Sequence, residues 1–360
     1  MATIKEIAAK TGVSPTTVSN VLHGRTDKVS AEKLKIIQAV IKSEKYAPNM
    51  GAALLAHSVS RIIGVIVYMD PRSDETIFED PFTGTMIGIL EKEIQKSGYF
   101  MMLQATNKPE AVLKLIHNWK LDGLIVFWVS PDICSVIRKN TDIPIVFIDC
   151  YFNDDGPVYH NVGLDDKHGA YEMTRYLIQS GHRTIAFLAD RKVLIGSDKE
   201  RLKGFMLALQ DAALEKNGSA FLPLSKDKCE RVCVYRSLCE KGVPFTALFF
   251  SADYYAAEAL AYFQQQGMRV PEDISIAGFD DNMYAKVVNP SLTTVYQDVF
   301  RRGCAAVDML IKLIKKQPVE KNNIHFPVRL VIRDSVCPPR YVKHITGETC
   351  ETRESIFSLL

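Results

Sequence analysis

The sequence predicts an α/β protein, with a core of parallel sheets covered by helices on both faces and a small all-α domain ahead of it. Three observations predict this class. Short apolar runs recur from residue 62 onward with amphipathic stretches between them, and two short, well-capped helices stand only three residues apart near the start. The basic charge is concentrated at that same end: residues 1–60 hold 8 Lys+Arg against 4 Asp+Glu, whereas the remaining 300 hold 36 against 38. Fully apolar strands alternating with helices are what a sheet buried on both faces requires.

The first helix follows from a capping box. Thr3 and Glu6 stand three apart, Ile4, Ile7 and Ala8 give the helical period, and Gly12 sits where a left-handed C-cap is wanted. Ser14 then caps a second helix with Pro15 at its first position, where the missing N–H costs nothing. Val18, Val21 and Leu22 make its buried stripe, leaving Pro15, Thr16, Thr17, Ser19 and Asn20 for the flanks and the solvent face. That face is short, neutral and rich in hydrogen-bonding groups. A third helix, capped by Ser30 and carrying Leu34, Ile37, Ala39, Val40 and Ile41, covers the other two. Two helices joined by Gly12-Val13-Ser14 have helix-turn-helix spacing, and with an excess of basic charge this is the footprint of a module that meets phosphates.

The segment 44–61 has Pro48 to end the third helix, Asn49 to cap another, and an Ala/Leu-rich run of about eight residues. A helix so short is marginal without partners, so the expectation is a disordered linker that turns helical when held. Beyond it, the apolar runs at 62–69, 99–104, 123–128, 143–149, 184–189, 246–251 and 274–279 read as strands. Helices are predicted over 83–97, 109–119, 132–139, 166–180, 199–216 and 254–267. Ligands of such sheets sit beyond the carboxyl ends of the strands, which draws attention to Asp149, Asp253, Asp280 and Asp281. Each alone reads as a turn or cap; together on one rim they repel unless a ligand or base offsets them.

Composition bounds the rest. A chain of 360 residues with 47% hydrophobic content and a net charge of +2 is ordinary for a globular protein of two or three domains. The apolar run at 62–69 is far too short to span a bilayer and no apolar leader stands at the N-terminus, so a cytoplasmic protein without membrane partners is expected. The eight scattered cysteines read as reduced thiols; Cys229, Cys233 and Cys239 lack metal-site spacing, and no metal or cofactor is expected. No phosphate loop, nucleophile elbow or zinc-helix motif is present, which argues against an enzyme. His182, in SGHRT, is expected at a helix C-terminus facing free carbonyls.

Taken in order, TIKEIAAKTGVSPTTVSNVL, KVSAEKL, YAPN, IIGVIV, LDGLIVF, IPIVFID, VGLDDKHGAYEMTRYLIQSGHRTIAFL, RLKGF, VPEDISIAGFDD, PSLTTVYQD and LVIRDS resemble bacterial transcription regulators of the lactose-repressor (LacI) family over roughly residues 3–337. The resemblance implies a headpiece over 1–48, a hinge helix or linker over 49–61 and a two-lobed periplasmic-binding-protein-like core over 62–338; the tail over 339–360 extends past the family's usual end and, with only Ile356, Leu359 and Leu360 as large apolar residues near its end, reads as largely disordered. It puts one lobe at about 62–159 with 293–317, the other at about 161–288 with 322–337. It also implies a repressor that binds a pseudopalindromic double-stranded operator as a homodimer. Pro15, Thr16 and Asn20 would read bases in the major groove, while Thr3, the Ile4 N–H, Thr17, Ser19, Arg25, Lys28 and Ser30 would hold phosphates. Asn49, Ala52 and Leu55 would meet the minor groove, Leu55 as a wedge. A small-molecule effector, carbohydrate in class, would lie between the lobes against Phe82, Thr83, Trp128, Asp149, Arg201, Asp253, Asp280 and Gln297. The rival reading is a solute-binding protein of a sugar transporter, which shares the core but needs export.

Overall fold

The computed structural model describes residues 2–22, 26–27, 29–44, 46, 60–69, 76–151, 159–190, 196–214, 218–240 and 245–340. They fall into two compact units, Met1–Ser60 and Arg61–Leu360. Within the first, α1 (Ile4–Thr11), α2 (Pro15–Leu22) and α3 (Ala31–Ser43) enclose Ile7, Ala8, Val18, Val21 and Ile37. The capping box is closed: the Glu6 N–H donates to the Thr3 hydroxyl at 3.2 Å, and the Thr3 N–H to the Glu6 carboxylate at 2.7 Å. Gly12 takes φ +66°, a value that an L side chain resists, and lets the chain turn at once into α2. Ala39 is exposed, so Ile37 carries most of the burial of α3. The linker expectation for 44–61 falls almost wholly outside the described residues, as does the tail from 341.

The second unit opens with β1 (Ile62–Tyr68), whose alternating side chains show why it must be central. Ile63, Val65 and Val67 face one helical layer, Ile62 and Ile66 the other. α4 (Pro81–Lys96), β2 (Phe100–Thr106), α5 (Pro109–Trp119), β3 (Gly123–Phe127), α6 (Pro131–Lys139) and β4 (Ile145–Ile148) follow. β5 (Asn161–Leu164) completes the sequence-continuous part of a six-stranded sheet ordered β11-β5-β4-β3-β1-β2, where β11 is the later strand Asn323–Phe326. A second, four-stranded sheet, β7-β6-β8-β9, comprises β6 (Ile185–Asp190), β7 (Ala220–Leu224), β8 (Ala247–Phe250) and β9 (Ser275–Ala277). Between its strands run α7 (Asp166–Gln179), α8 (Gly196–Asp211), α9 (Lys228–Ser237) and α10 (Asp253–Gln265), with α11 (Met283–Val287) after β9. The chain then forms β10 (Thr294–Tyr296), α12 (Val299–Ile314), β11 (Asn323–Phe326) and β12 (Arg329–Val331), with β10 and β12 antiparallel.

Three differences from the sequence expectations have physical causes. β5 and β11 pair in the first sheet, so the lobe boundaries near 160 and 322 move: Val162 lies opposite both Ile148 and Ile324. NVGL and NIHF hold no long apolar run, and their place is set by partners such as Asn161 and Asn323, whose side chains bond at 3.0 Å across 162 residues. α9 lies in a stretch with no expected helix because it buries charge instead of an apolar stripe. Its Arg231 donates to Glu258 at 2.7 and 3.1 Å, and the Tyr235 hydroxyl joins the same carboxylate at 2.9 Å. α12 has an apolar face readable in the sequence, with Ala306, Val307 and Leu310 buried against the first sheet, yet it too is absent from the expected set.

His182 is a further difference. Its ring is fully buried, with Nδ1 2.9 Å from the Thr246 hydroxyl, rather than turned to helix carbonyls. Burial pushes its pKa down to about 4, opposed only in part by the Cys337 backbone. The neutral ring is the folded form, so the stability that it confers is complete above about pH 6.5 and is lost as pH falls toward 4. The unfolding free energy of the native chain should fall across this window relative to His182→Gln, by on the order of 3 kcal/mol in total. Parallel pH profiles for the two proteins would contradict it.

Candidate functional site

In the headpiece, α2 presents what the sequence anticipates on its outer side. Pro15 and Thr16 are exposed, Thr17, Ser19 and Asn20 half-buried, and Thr16 and Asn20 share a face four residues apart. The first turn of α2 carries no acidic residue. Ser14 accepts the Thr17 N–H at 3.1 Å, and the two hydroxyls lie 2.9 Å apart, so Thr17 is partly committed to the cap. Thr3 and Ser30 are exposed caps, and the Ile4 N–H opens α1 while its side chain packs toward the core. Arg25, Lys28, Asn49, Ala52 and Leu55 lie outside the described residues.

The second unit gathers its polar side chains at the carboxyl ends of both sheets. Trp128, Asp149, Asp280 and Asp281 follow β3, β4 and β9 with φ of +55°, +56°, +122° and +55°, a conformation unfavourable for non-glycine residues and frequent at ligand sites. From these turns a ring of hydrogen bonds and ion pairs closes. Arg302, on α12, donates to both Asp149 and the Gln297 side-chain Oε1. The Gln297 amide donates to Asp280 at 2.6 Å, and Asp280 lies 3.8 Å from Arg201. Arg201, on α8, donates to Asp166 of α7 at 2.7 Å and to the Ser251 carbonyl, with its guanidinium 3.7 Å above the centre of the Phe279 ring. The Tyr151 hydroxyl donates to Asp166 and lies 3.5 Å from Asp149, which completes the circuit.

The ring is buried, and that decides its electrostatics. Burial pushes the Asp166 carboxyl up to about 6 and that of Asp280 well above the usual range, against the opposing pull of Arg201. Arg201 and Arg302 are held protonated by the carboxylates beside them despite burial. Charges so placed are tolerated only when paired.

Of the eight expected effector residues, Asp149, Arg201, Asp280 and Gln297 stand in this ring. Phe82 and Thr83 start α4, capped by Asp80; the Thr83 hydroxyl donates to Asp80, and the Phe82 ring lies 6.3 Å from that of Trp128. Asp253 is not brought into the ring. Its carboxylate accepts from the Thr294 hydroxyl at 2.6 Å and the Asn282 N–H at 3.0 Å, and so fastens the 280–282 turn. Burial lifts its pKa to about 7. Asp166, Tyr151 and Arg302 escaped the sequence reading. Asp166 stands in the quoted VGLDDKHG stretch, whereas nothing local marks Tyr151 or Arg302. A cavity of about 530 Å³ opens beside the ring, bounded by the start of α4, the 280–284 turn and the start of α12.

A helix-turn-helix headpiece with a two-sheet core whose strand ends converge on buried, paired charges defines a ligand-responsive DNA-binding protein by class. Residues 3–49 match the family of bacterial regulatory proteins named lacI, and residues 174–336 a periplasmic binding protein-like domain. The chain is 31% identical over 346 residues to the HTH-type transcriptional repressor PurR of Pasteurella multocida, covering 93% of this chain and 99% of that one. It is 33% identical over 352 residues to the PurR repressor of Haemophilus influenzae, with the same coverage. A crystal structure of the lac repressor dimer bound to operator and the anti-inducer ONPF superposes with a TM-score of 0.80 at 25% identity, over 93% of this chain and 99% of that one. This chain belongs to the LacI family of bacterial regulatory proteins and is a DNA-binding transcriptional regulator. No described helix is long and apolar enough to cross a membrane.

Proposed function

We propose that the protein is a repressor that binds a pseudopalindromic operator as a homodimer and is controlled by a small carbohydrate-class effector in the inter-lobe cleft. The outer face of α2 carries this reading. Long acidic side chains would be repelled by the phosphates that line the major groove; Pro15, Thr16, Ser19 and Asn20 are short and uncharged, and Asn20 can pair bidentately with adenine while the Thr16 methyl meets thymine. Thr3, the Ile4 N–H, Thr17, Ser19 and Ser30, with Arg25 and Lys28, hold phosphates; Asn49, Ala52 and Leu55 act in the minor groove.

In the core, Arg201 offers a planar fork to paired hydroxyls, and Asp280 and Gln297 offer acceptors and donors beside it. Because the ring joins both sheets, an effector that enters it shifts the balance between lobe arrangements and thereby the two headpieces of a dimer. A coupling of roughly 1–3 kcal/mol suffices to move operator occupancy between mostly bound and mostly free.

Genomic-fragment selection at fixed salt tests the DNA reading. The native chain should recover one pseudopalindrome, Asn20→Ala should lose about 1–3 kcal/mol of discrimination at a single base position in each half-site, and Leu55→Ala should weaken binding at the centre. Binding that falls steeply with salt but selects no sequence, and ignores both substitutions, would overturn it.

A further inference from the structure

One hydroxyl in the ring touches both sides of a crossing between the sheets. β5 ends at Leu164 in the first sheet, and two residues later Asp166 opens α7, which leads into the second. The Tyr151 hydroxyl accepts the Leu164 N–H at 3.0 Å and donates to Asp166. Its ring meets that of His325 edge-on at 5.7 Å, and β11, which holds His325, is the strand from which the chain leaves the first sheet again for β12. Gly163 makes the room: a Cβ there would stand 3.2 Å from the Tyr151 Cε1 and 3.3 Å from its hydroxyl. The backbone of Tyr151 issues from β4, so this side chain reaches from the central part of the first sheet to two of the crossings that join the lobes.

Asp166 is the other half of the connection. It is buried, and its two oxygens are divided between the lobes: Oδ1 accepts from the Arg201 Nε at 2.7 Å, and Oδ2 from the Tyr151 hydroxyl. Asp166 and Arg201 stand on α7 and α8, whose backbones approach so closely at Gly204 that no Cβ fits between them, so the two helices move as one. A buried carboxylate that loses one donor leans on the other, because an unpaired charge in the interior is strongly destabilising. A ligand that draws the Arg201 fork toward itself therefore draws Asp166 and the Tyr151 hydroxyl together, and with them α7 and the first sheet. The ring's second route between the sheets, Arg302 to Gln297 to Asp280, reaches Arg201 only across 3.8 Å. We propose, resting on the effector reading of this cleft, that Tyr151 is the positioning residue that transmits effector occupancy at Arg201 to the first lobe: through Asp166 it ties the α7–α8 pair to β4 and β5.

The test compares the full-length native chain with Tyr151→Phe, which keeps the ring against His325 and removes only the hydroxyl, and with Tyr159→Phe, which removes a nearby hydroxyl bonded to Asn323 at 3.4 Å. The probes are D-ribose, D-glucose, D-galactose and cellobiose. Calorimetry reads sugar affinity, and operator titration with and without saturating sugar reads the coupling. A sugar that binds the native chain should bind Tyr151→Phe within about threefold, while the ratio of operator affinities with and without it, roughly 5- to 150-fold in the native chain, falls at least halfway to one on a logarithmic scale. Tyr159→Phe should match the native chain in both readouts. A native ratio in Tyr151→Phe overturns the inference, as does an equal loss in Tyr159→Phe or a ratio that falls only because sugar affinity is lost; each of these leaves the effector reading intact. If no sugar changes the operator affinity of the native chain, the carbohydrate-effector reading itself fails, and this inference with it.

Discussion

Gly204→Ala is expected to destabilise the effector core by about 3 kcal/mol, far more than an added methyl group in a helix normally would. Alanine is the better helix former by up to about 1 kcal/mol, so propensity alone predicts the opposite sign. Packing reverses it. α7 and α8 cross so closely at Gly204 that a Cβ would stand 2.0 Å from the Lys167 carbonyl oxygen and 2.9 Å from the Tyr171 nitrogen. These are backbone atoms of the facing helix and cannot rotate aside, so the two helices must part. Phe205 and Leu202 then lose part of their packing against Ala170 and Met173. Arg201, one turn before Gly204, is drawn away from Asp166, so the response to effector should fall together with stability. Urea unfolding of the two proteins provides the check; a loss below about 0.5 kcal/mol would mean that the helices separate without penalty.

Arg201→Leu should cost about 3–5 kcal/mol and abolish the response to effector. The guanidinium is 7% exposed and bonds Asp166 at 2.7 Å, with Asp280 3.8 Å away. Its removal leaves Asp166 fully buried and unpaired except for the Tyr151 hydroxyl. The substitution removes the principal group that pulls the Asp166 pKa down, so that pKa rises above its present value of about 6. A carboxyl with a folded pKa above its unfolded one favours the folded state as it takes up its proton. The variant should therefore recover stability as pH falls through the new folded value. Arg201→Leu/Asp166→Leu should regain much of the lost stability at neutral pH without regaining the response, because the buried charge is gone but the ligand fork is not restored. Equal stability of the single and double variants would show that the pair is not what the fold depends on.

Much of this was legible in the residues themselves. The capping box at Thr3 and Glu6, the left-handed Gly12 and the Ser14-Pro15 start are local rules, and each is realised within three or four residues. The alternation in β1 required only a reading of period two. Asp149 and Asp280 were marked by their place after apolar strands, whereas Arg201 and Gln297 were reached by resemblance to a family whose motifs surround them. Asp253 looks equivalent in the sequence because it too follows an apolar strand, yet Thr294, 41 residues further on, takes its carboxylate.

The sequence alone determined the three headpiece helices, the helix-turn-helix spacing, the uncharged outer face of α2 and the all-apolar central strands, since all of these follow from side-chain period and capping within one element. Only the tertiary structure decided which strands share a sheet and which charges meet. β5 joins β11 and Arg302 reaches Asp149 across 153 residues, a pairing that no local pattern encodes. The reason is that burial makes an unpaired charge intolerable without specifying the partner. The fold specifies it, by bringing the carboxyl ends of two separate sheets to one place.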